Sequence, residues 1–144
     1  KAELEKQTNR LREEIRRILN EEIGVLSLSA KNDNILMWAH YADYHKGFCI
    51  EFKRSQANAL GATKPVHYVK EYPFLSYFDD LPGNIVKKMI LTKAEDWSYE
   101  AEWRGLNTID TEVYYTDDMI TGIIFGFRMP EDHNNEICQI LKDK

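Results

Sequence analysis

Apolar residues along the chain recur with two periods, and the period changes mark the elements. From Ala2 to about Glu22, Leu4, Leu11, Ile15 and Ile18 are spaced by seven, four and three, which places them on one helical stripe. The other faces carry Glu5, Lys6, Arg10, Arg12, Glu13, Glu14, Arg16 and Arg17, with Glu13 four residues before Arg17, the favourable order for a helical ion pair. Gly24 is expected to cap this helix. The period then drops to two. Leu26 and Leu28 alternate with Ser27 and Ser29, which predicts a strand over 25–29 with both serines on its polar face. Residues 31–34, Lys-Asn-Asp-Asn, predict a turn with capping side chains before a short helix from Ile35 to about Tyr44, broken by Gly47. Phe48, Ile50 and Phe52 alternate with Cys49, Glu51 and Lys53 and predict a second strand.

Further along, 54–61 predicts a helical turn, 66–70 a third strand and 72–83 a loop rich in aromatics. Residues 84–94 predict a helix with Ile85, Met89 and Lys93 in register. Residues 97–107 predict a strand with Tyr99, Ala101 and Trp103 on one face and Glu100, Glu102 and Arg104 on the other. A weaker strand falls on 113–116. The most apolar segment, 120–128, is expected at the centre of the sheet, with Gly122 and Gly126 allowing close backbone approach. Pro130, Glu131 and Asp132 open a last helix running to about Asp143. The interleaving predicts an α+β fold with a mixed or mainly antiparallel sheet. Leu26, Leu28, Phe48, Ile50, Phe52, Tyr99, Trp103, Ile123 and Phe125 are expected to form one core.

Size and charge then narrow the classes. At 144 residues, 43% hydrophobic and 30% charged, the chain suits one globular domain: a helical arm over 1–22 and a sheet-containing body over 23–144. A net charge of −5 argues against a broad nucleic-acid surface. No apolar run approaches the ~20 residues that span a bilayer, so no membrane partner is expected and the expected setting is the cytoplasm. Cys49 and Cys138 lie in apolar surroundings that suit buried thiols. His40, His45 and Cys49 cross a helix, a turn and a strand, a spacing that gives no metal set, and no metal is expected. The narrow apolar stripe of the first helix is expected to pack on its own domain or to pair two chains as a homodimer.

Three segments carry a resemblance. They are Ser27-Leu28-Ser29 through Met37-Trp38-Ala39-His40-Tyr41 to Lys46-Gly47; Lys93 with Trp97-Ser98-Tyr99-Glu100-Ala101-Glu102-Trp103-Arg104; and Ile123 to Arg128. Their order and spacing resemble the bacterial family known as domain of unknown function 2971, over about residues 25–141. The resemblance implies that the chain is the C-terminal part of a longer family domain, whose opening Asn-Asp-Pro-Phe-like segment has no counterpart here. It names no activity, so chemistry must come from the residues.

The strongest chemical candidate is Glu100-Ala101-Glu102 with Arg104. Paired carboxylates on one strand face suit acid–base work or stabilisation of a developing cation. A Ser-x-Ser strand followed by a Glu-x-Glu strand resembles the motif order of ADP-ribosyltransferases. That resemblance implies NAD as substrate, Ser29 supporting a nicotinamide pocket, Glu102 catalytic on the ribose and Glu100 orienting the acceptor. The Arg or His that opens that motif order has no counterpart here. The expected site is a cleft between the 27–44 segment and the 100–104 strand. Ser27, Ser29, Trp38, His40, Tyr41 and Arg104 form its substrate-binding set, and Tyr41 or Tyr44 stacks on nicotinamide. The competing expectation is a non-catalytic interaction module of a mobile-element or phage-defence system.

Overall fold

The computed structural model describes residues 2–75, 82–108, 112 and 116–142. Tyr77, Phe78, Asp79 and Asp80 of the expected loop, most of the weak strand at 113–116, and Asp143 lie outside the described residues. The fold is α+β, as the alternating periods predict. The chain forms two compact units, each built from two separate stretches: Lys1–Ala30 with Ala62–Val113, and Lys31–Gly61 with Tyr114–Lys144.

In the first unit, helix α1 (Ala2–Arg17) runs through a π turn, Ile18–Glu22, straight into strand β1 (Ile23–Ser29). Gly24 therefore lies inside the strand instead of capping the helix; the turn closes at Ile23, already extended at φ −110° and ψ 119°, and among the described residues no glycine has positive φ. Arg17 bonds Glu22 across the π turn, and Glu13 pairs with Arg16 instead. Short strands β3 (Lys64–Pro65) and β4 (His67–Val69) follow, then helix α3 (Pro82–Ile90), strand β5 (Thr92–Ala94), a 3₁₀ turn (Glu95–Glu100) and strand β6 (Glu102–Thr108). (Helix α2, Ile35–Tyr41, and strand β2, Phe48–Phe52, belong to the second unit.) An antiparallel sheet is ordered β1-β6-β3, and β4 and β5 form a parallel pair.

The first unit's core is a helix–helix seam. Ile15 of α1 and Ile85, Val86 and Ile90 of α3 are buried together, with Leu11, Ile18, Leu19, Ile23, Leu75 and Leu106 packed against them. The apolar stripe of α1 thus finds its cover within its own unit, apart from the exposed Leu4.

The second unit contains helix α2 (Ile35–Tyr41), strand β2 (Phe48–Phe52), a 3₁₀ turn beginning at Ala59, a 3₁₀ turn (Asp117–Met119), strand β7 (Ile120–Phe125) and helix α4 (Glu131–Lys142). Strands β2 and β7 form an antiparallel ribbon, from Phe48 opposite Phe125 to Phe52 opposite Ile120, with a register shift between Glu51 and Phe52. Segment 120–128 is therefore half of a two-stranded ribbon and not a central strand. Leu60 and Met119 are this unit's buried hydrophobics among the described residues.

The nine residues expected to form one core do not: they are divided between the units, and none is fully buried. Leu26, Phe48 and Ile50 are exposed. Alternation locates a strand but not the layer that covers it, and in the first unit the buried hydrophobic cluster falls on the α1–α3 seam.

Candidate functional site

The site begins with register. Strand β1 pairs with β6 so that Ser27 stands opposite Arg104, Leu28 opposite Trp103 and Ser29 opposite Glu102. Residues facing each other across an antiparallel pair share a side of the sheet. Alternation puts each pair on one side of its own strand, and the register sets Ser27, Ser29, Glu102 and Arg104 on one common face.

Glu100 arrives differently from the expectation. Residues 95–100 form a 3₁₀ turn, and Ala101 takes the left-handed conformation at φ 45° and ψ 48° before β6 begins. The strand predicted over 97–107 is thus broken before Glu102, and Tyr99 and Glu100 are not on it. The local reason is that the Ala101 N–H donates to the Ser98 carbonyl, closing the turn, while the Ala30 N–H donates to the Ala101 carbonyl and ties the turn to the end of β1. The Ser29 hydroxyl donates to the Glu100 carbonyl at 2.7 Å.

Lys93 is also displaced from its expected place. Helix α3 ends at Ile90, after which Leu91 bonds back to Lys87 and residues 92–94 extend beside β4, with Lys93 paired to Tyr68. On this strand the ammonium meets both carboxylates. It bonds Glu100 Oε2 and lies 3.1 Å from Glu102 Oε2. Arg104 grips Glu102 with a fork, Nε on Oε1 at 2.7 Å and Nη2 on Oε2 at 3.0 Å, and its Nη1 donates to the Ile90 carbonyl. The Tyr68 hydroxyl accepts from the Glu102 backbone N–H at 2.8 Å. The Lys93 ammonium also lies 5.1 Å from the centroid of the Trp97 ring, within cation–π range.

Two carboxylates and two cations are thus gathered away from water: side-chain exposure is 3% for Glu100, 6% for Glu102, 20% for Lys93 and 18% for Arg104. Burial by itself would raise the Glu102 carboxyl, but hydrogen bonds from Arg104, Ser27 and Lys93 outweigh it and bring the group down to about 2. Burial likewise works against the Lys93 ammonium, and the bonds to Glu100 and Glu102 overcome it and push the group up. Among the described residues no buried side-chain nitrogen or oxygen lacks a hydrogen-bond partner.

Trp38, His40 and Tyr41 belong to the second unit. The Asn34 side chain caps α2, accepting from the N–H groups of Leu36 at 2.9 Å and Met37 at 3.2 Å, as the polar turn predicts. The helix ends at Tyr41, well before Gly47, because Asp43, Tyr44 and His45 all take positive φ, at 43°, 51° and 70°. This turn brings His45 against two rings: Trp38 stacks on it at 6.0 Å and 10°, and Phe127 lies at 4.6 Å. Trp38 Nε1 donates to the Asn32 carbonyl. Tyr41, Tyr44 and His40 are exposed. Gly126 is buried where a Cβ would stand 2.1 Å from the His45 carbonyl oxygen, the close approach that 120–128 was expected to make.

Both cysteines are free thiols, and burial, then Glu51, pushes the Cys49 thiol up. Among the described residues no group of three His, Cys, Asp or Glu is placed to hold a metal ion, and no helix is long and apolar enough to cross a membrane. Sequence reasoning did not assign Lys93, Tyr68 or Trp97 to the site. Lys93 and Trp97 stand in the second resemblance segment, which was the available signal; Tyr68 enters through pairing that no local pattern reveals.

Residues 37–105 fit the model of a family described as a protein of unknown function (DUF2971). The matched stretch includes Met37 to Tyr41 and Lys93 to Arg104, and excludes Ser27–Ser29 and Ile123–Arg128. No curated protein and no solved structure matches the chain.

Proposed function

We propose that the first unit is a glycosyl-transfer domain of the ADP-ribosyltransferase kind, with NAD as donor. One observation carries this reading: the β1–β6 register sets Ser29 opposite Glu102 and Ser27 opposite Arg104, so the serine strand and the carboxylate share a face. In this reading Glu102, ionised at neutral pH, accepts a ribose hydroxyl and stabilises the charge that grows on the ribose as nicotinamide leaves. The C1′–N bond breaks with its electron pair going to nicotinamide. Water or an acceptor nucleophile then forms the new bond at C1′ and gives up its proton to solvent. Ser29 supports the nicotinamide side, and Glu100 orients the acceptor. Nicotinamide release by purified protein tests this, beside Glu102→Gln, which keeps the shape and removes the charge. Release is expected to fall by about 10²-fold or more in the variant. Absence of both release and NAD binding in the wild-type chain sinks the reading.

A second observation favours a non-catalytic interaction module. Arg104 takes two bonds on the Glu102 carboxylate, Lys93 a third and Ser27 a fourth, which fills the roughly four acceptor directions a carboxylate offers. The cluster then acts as a tie between β1, β5 and β6. In this reading pairing of two chains uses what the packing of α1 leaves open, chiefly Leu4. Sedimentation that finds only monomer at high concentration removes the pairing.

A further inference from the structure

Strand β1 is an edge of its sheet, and its register shows which of its main-chain groups are already spent. Partners in an antiparallel ladder alternate between pairs that exchange both hydrogen bonds and pairs that exchange none. The Ala30 N–H donates to the Ala101 carbonyl, so the bonded pairs fall at Leu28 with Trp103, Leu26 with Gly105 and Gly24 with Asn107. Glu102 belongs to the other class and fits the same phase: its N–H goes to the Tyr68 hydroxyl, and its carbonyl accepts from Val66, next to β3. Ile23, Val25 and Ser27 therefore turn their N–H and C=O groups outward. Among the described residues no strand pairs there.

The two edges of this sheet are built differently. Strand β3, the far edge, has two residues, Lys64 and Pro65. A short strand, a lysine and a missing N–H are the features that discourage another strand from adding on. Strand β1 has none of them. It runs for seven residues in unbroken register, without a charge or a proline. Val25 and Leu26 on it are 47% and 37% exposed. The β2–β7 ribbon, by contrast, carries Glu51 and a register shift beside it.

We propose that β1 is an interaction edge for a second copy of this chain: the two β1 strands pair antiparallel about a twofold axis at Val25 and join the two sheets into one.

The sequence of the strand favours its own copy as the occupant. A twofold pairing at Val25 sets Ile23 opposite Ser27 and Gly24 opposite Leu26, once on each side of the axis. Any charge on such a strand would be brought close to its own like, and β1 carries none. Gly24 and Leu26 fall in the class that exchanges no bonds across the new seam, where side chains come closest, and the glycine leaves room for the leucine. The outward groups of Ile23, Val25 and Ser27 supply about six main-chain hydrogen bonds. The contact closes on itself: each copy then presents only its Lys64–Pro65 edge, so growth of this sheet stops at two chains. This surface is separate from the α1 residue Leu4, and it rests on neither reading of the function.

Sedimentation of the full chain across micromolar to submillimolar concentrations tests the pairing. Wild type is expected to pass from monomer to dimer. Val25→Lys sets two ammonium groups against each other at the axis and should weaken the dimer by about 10-fold or more. Leu4→Lys should leave it unchanged. Amide exchange tests the register: as the dimer forms, the Ile23, Val25 and Ser27 amides should slow, while those of Gly24, Leu26 and Leu28 are protected at every concentration. If Val25→Lys does not fold, this exchange pattern in wild type decides alone. A wild-type chain that stays monomeric overturns the proposal. So does a dimer that survives Val25→Lys, one that Leu4→Lys dissociates, or one in which Val25 and Ser27 exchange as fast as in the monomer.

Discussion

The two units position their distinctive side chains by opposite means. In the first, Glu102, Arg104, Lys93 and Glu100 are placed by charge: ion pairs join β5, β6 and the 3₁₀ turn before β6, and the group is largely buried. In the second, Trp38, His45 and Phe127 are placed by backbone: three consecutive left-handed residues turn the chain so that His45 enters the ring stack. A charged cluster responds to pH and to loss of a partner. A forced turn responds to changes at Cα and Cβ. The same chain therefore offers two regions that different perturbations should separate, and amide exchange read strand by strand can tell which region has opened.

The largest effect is expected from Glu102→Ala. It strands Lys93 and Arg104 without their shared anion, and breaking a buried pair from one side costs about 3–5 kcal/mol. Thermal melting measures the loss, and exchange should show β1 and β6 opening while β2 and β7 keep their protection. A loss below about 1 kcal/mol would show that charge does not organise the first unit.

Acidification comes next. The Glu102 carboxyl is depressed in the fold from 4.5 to about 2, so its contribution is fully present above about 4.5 and drains away as the pH falls towards 2. That contribution is on the order of 3 kcal/mol. Denaturant midpoints followed down the acid limb should drop steeply in wild type and be flatter in Glu102→Gln; equal slopes would contradict the assignment.

Gly126→Ala attacks the other region. Its Cβ would meet the His45 carbonyl at 2.1 Å and the Gly47 carbonyl at 2.8 Å, both backbone atoms that cannot swing aside. The expected cost is about 1–3 kcal/mol or more, with faster exchange in β2 and β7 and no change in the acid limb. Loss of protection in β6 instead would break the comparison.

The smallest effect runs the other way. Tyr44 is 66% exposed and sits at φ 51°. Tyr44→Gly relieves that conformation and should raise stability by about 0.5–1 kcal/mol after glycine's entropy cost is deducted. Ala101→Gly, at φ 45° in the first unit, should gain a similar amount. Melting temperatures measure both, and a loss at Tyr44 would mean that its ring makes contacts worth more than the strain.

What was legible in the sequence follows from this division. Features set within a few residues were readable: the α1 stripe, the Asn34 cap, the last helix, and the placing of Ser27 with Ser29 on one face of β1 and of Glu102 with Arg104 on one face of β6. Features set by distant pairing were not. Lys93 read as helical because its spacing from Ile85 and Met89 is helical, and only pairing with β4 makes it extended. Glu100 read as a strand residue because nothing in Tyr-Glu-Ala-Glu announces a left-handed alanine. The core of the first unit is not legible locally, because Ile85, Val86 and Ile90 pack on Ile15, which lies far away in sequence, while the alternation on 48–52 and 97–107 marks strands that are only half covered.

The interleaving of the two units bears on how the chain is made. A ribosome delivers residues in order, at about 5–20 per second. Among the described residues, strand β1 pairs with a strand that begins at Glu102, made some seventy residues later, and β2 waits for one that begins at Ile120. Neither unit can close around a finished piece of chain, and for several seconds both hold strands whose hydrogen-bonding edges have no mate. Synthesis arrested between the paired strands would leave two incomplete units, where a chain of consecutive domains would leave one complete and one missing.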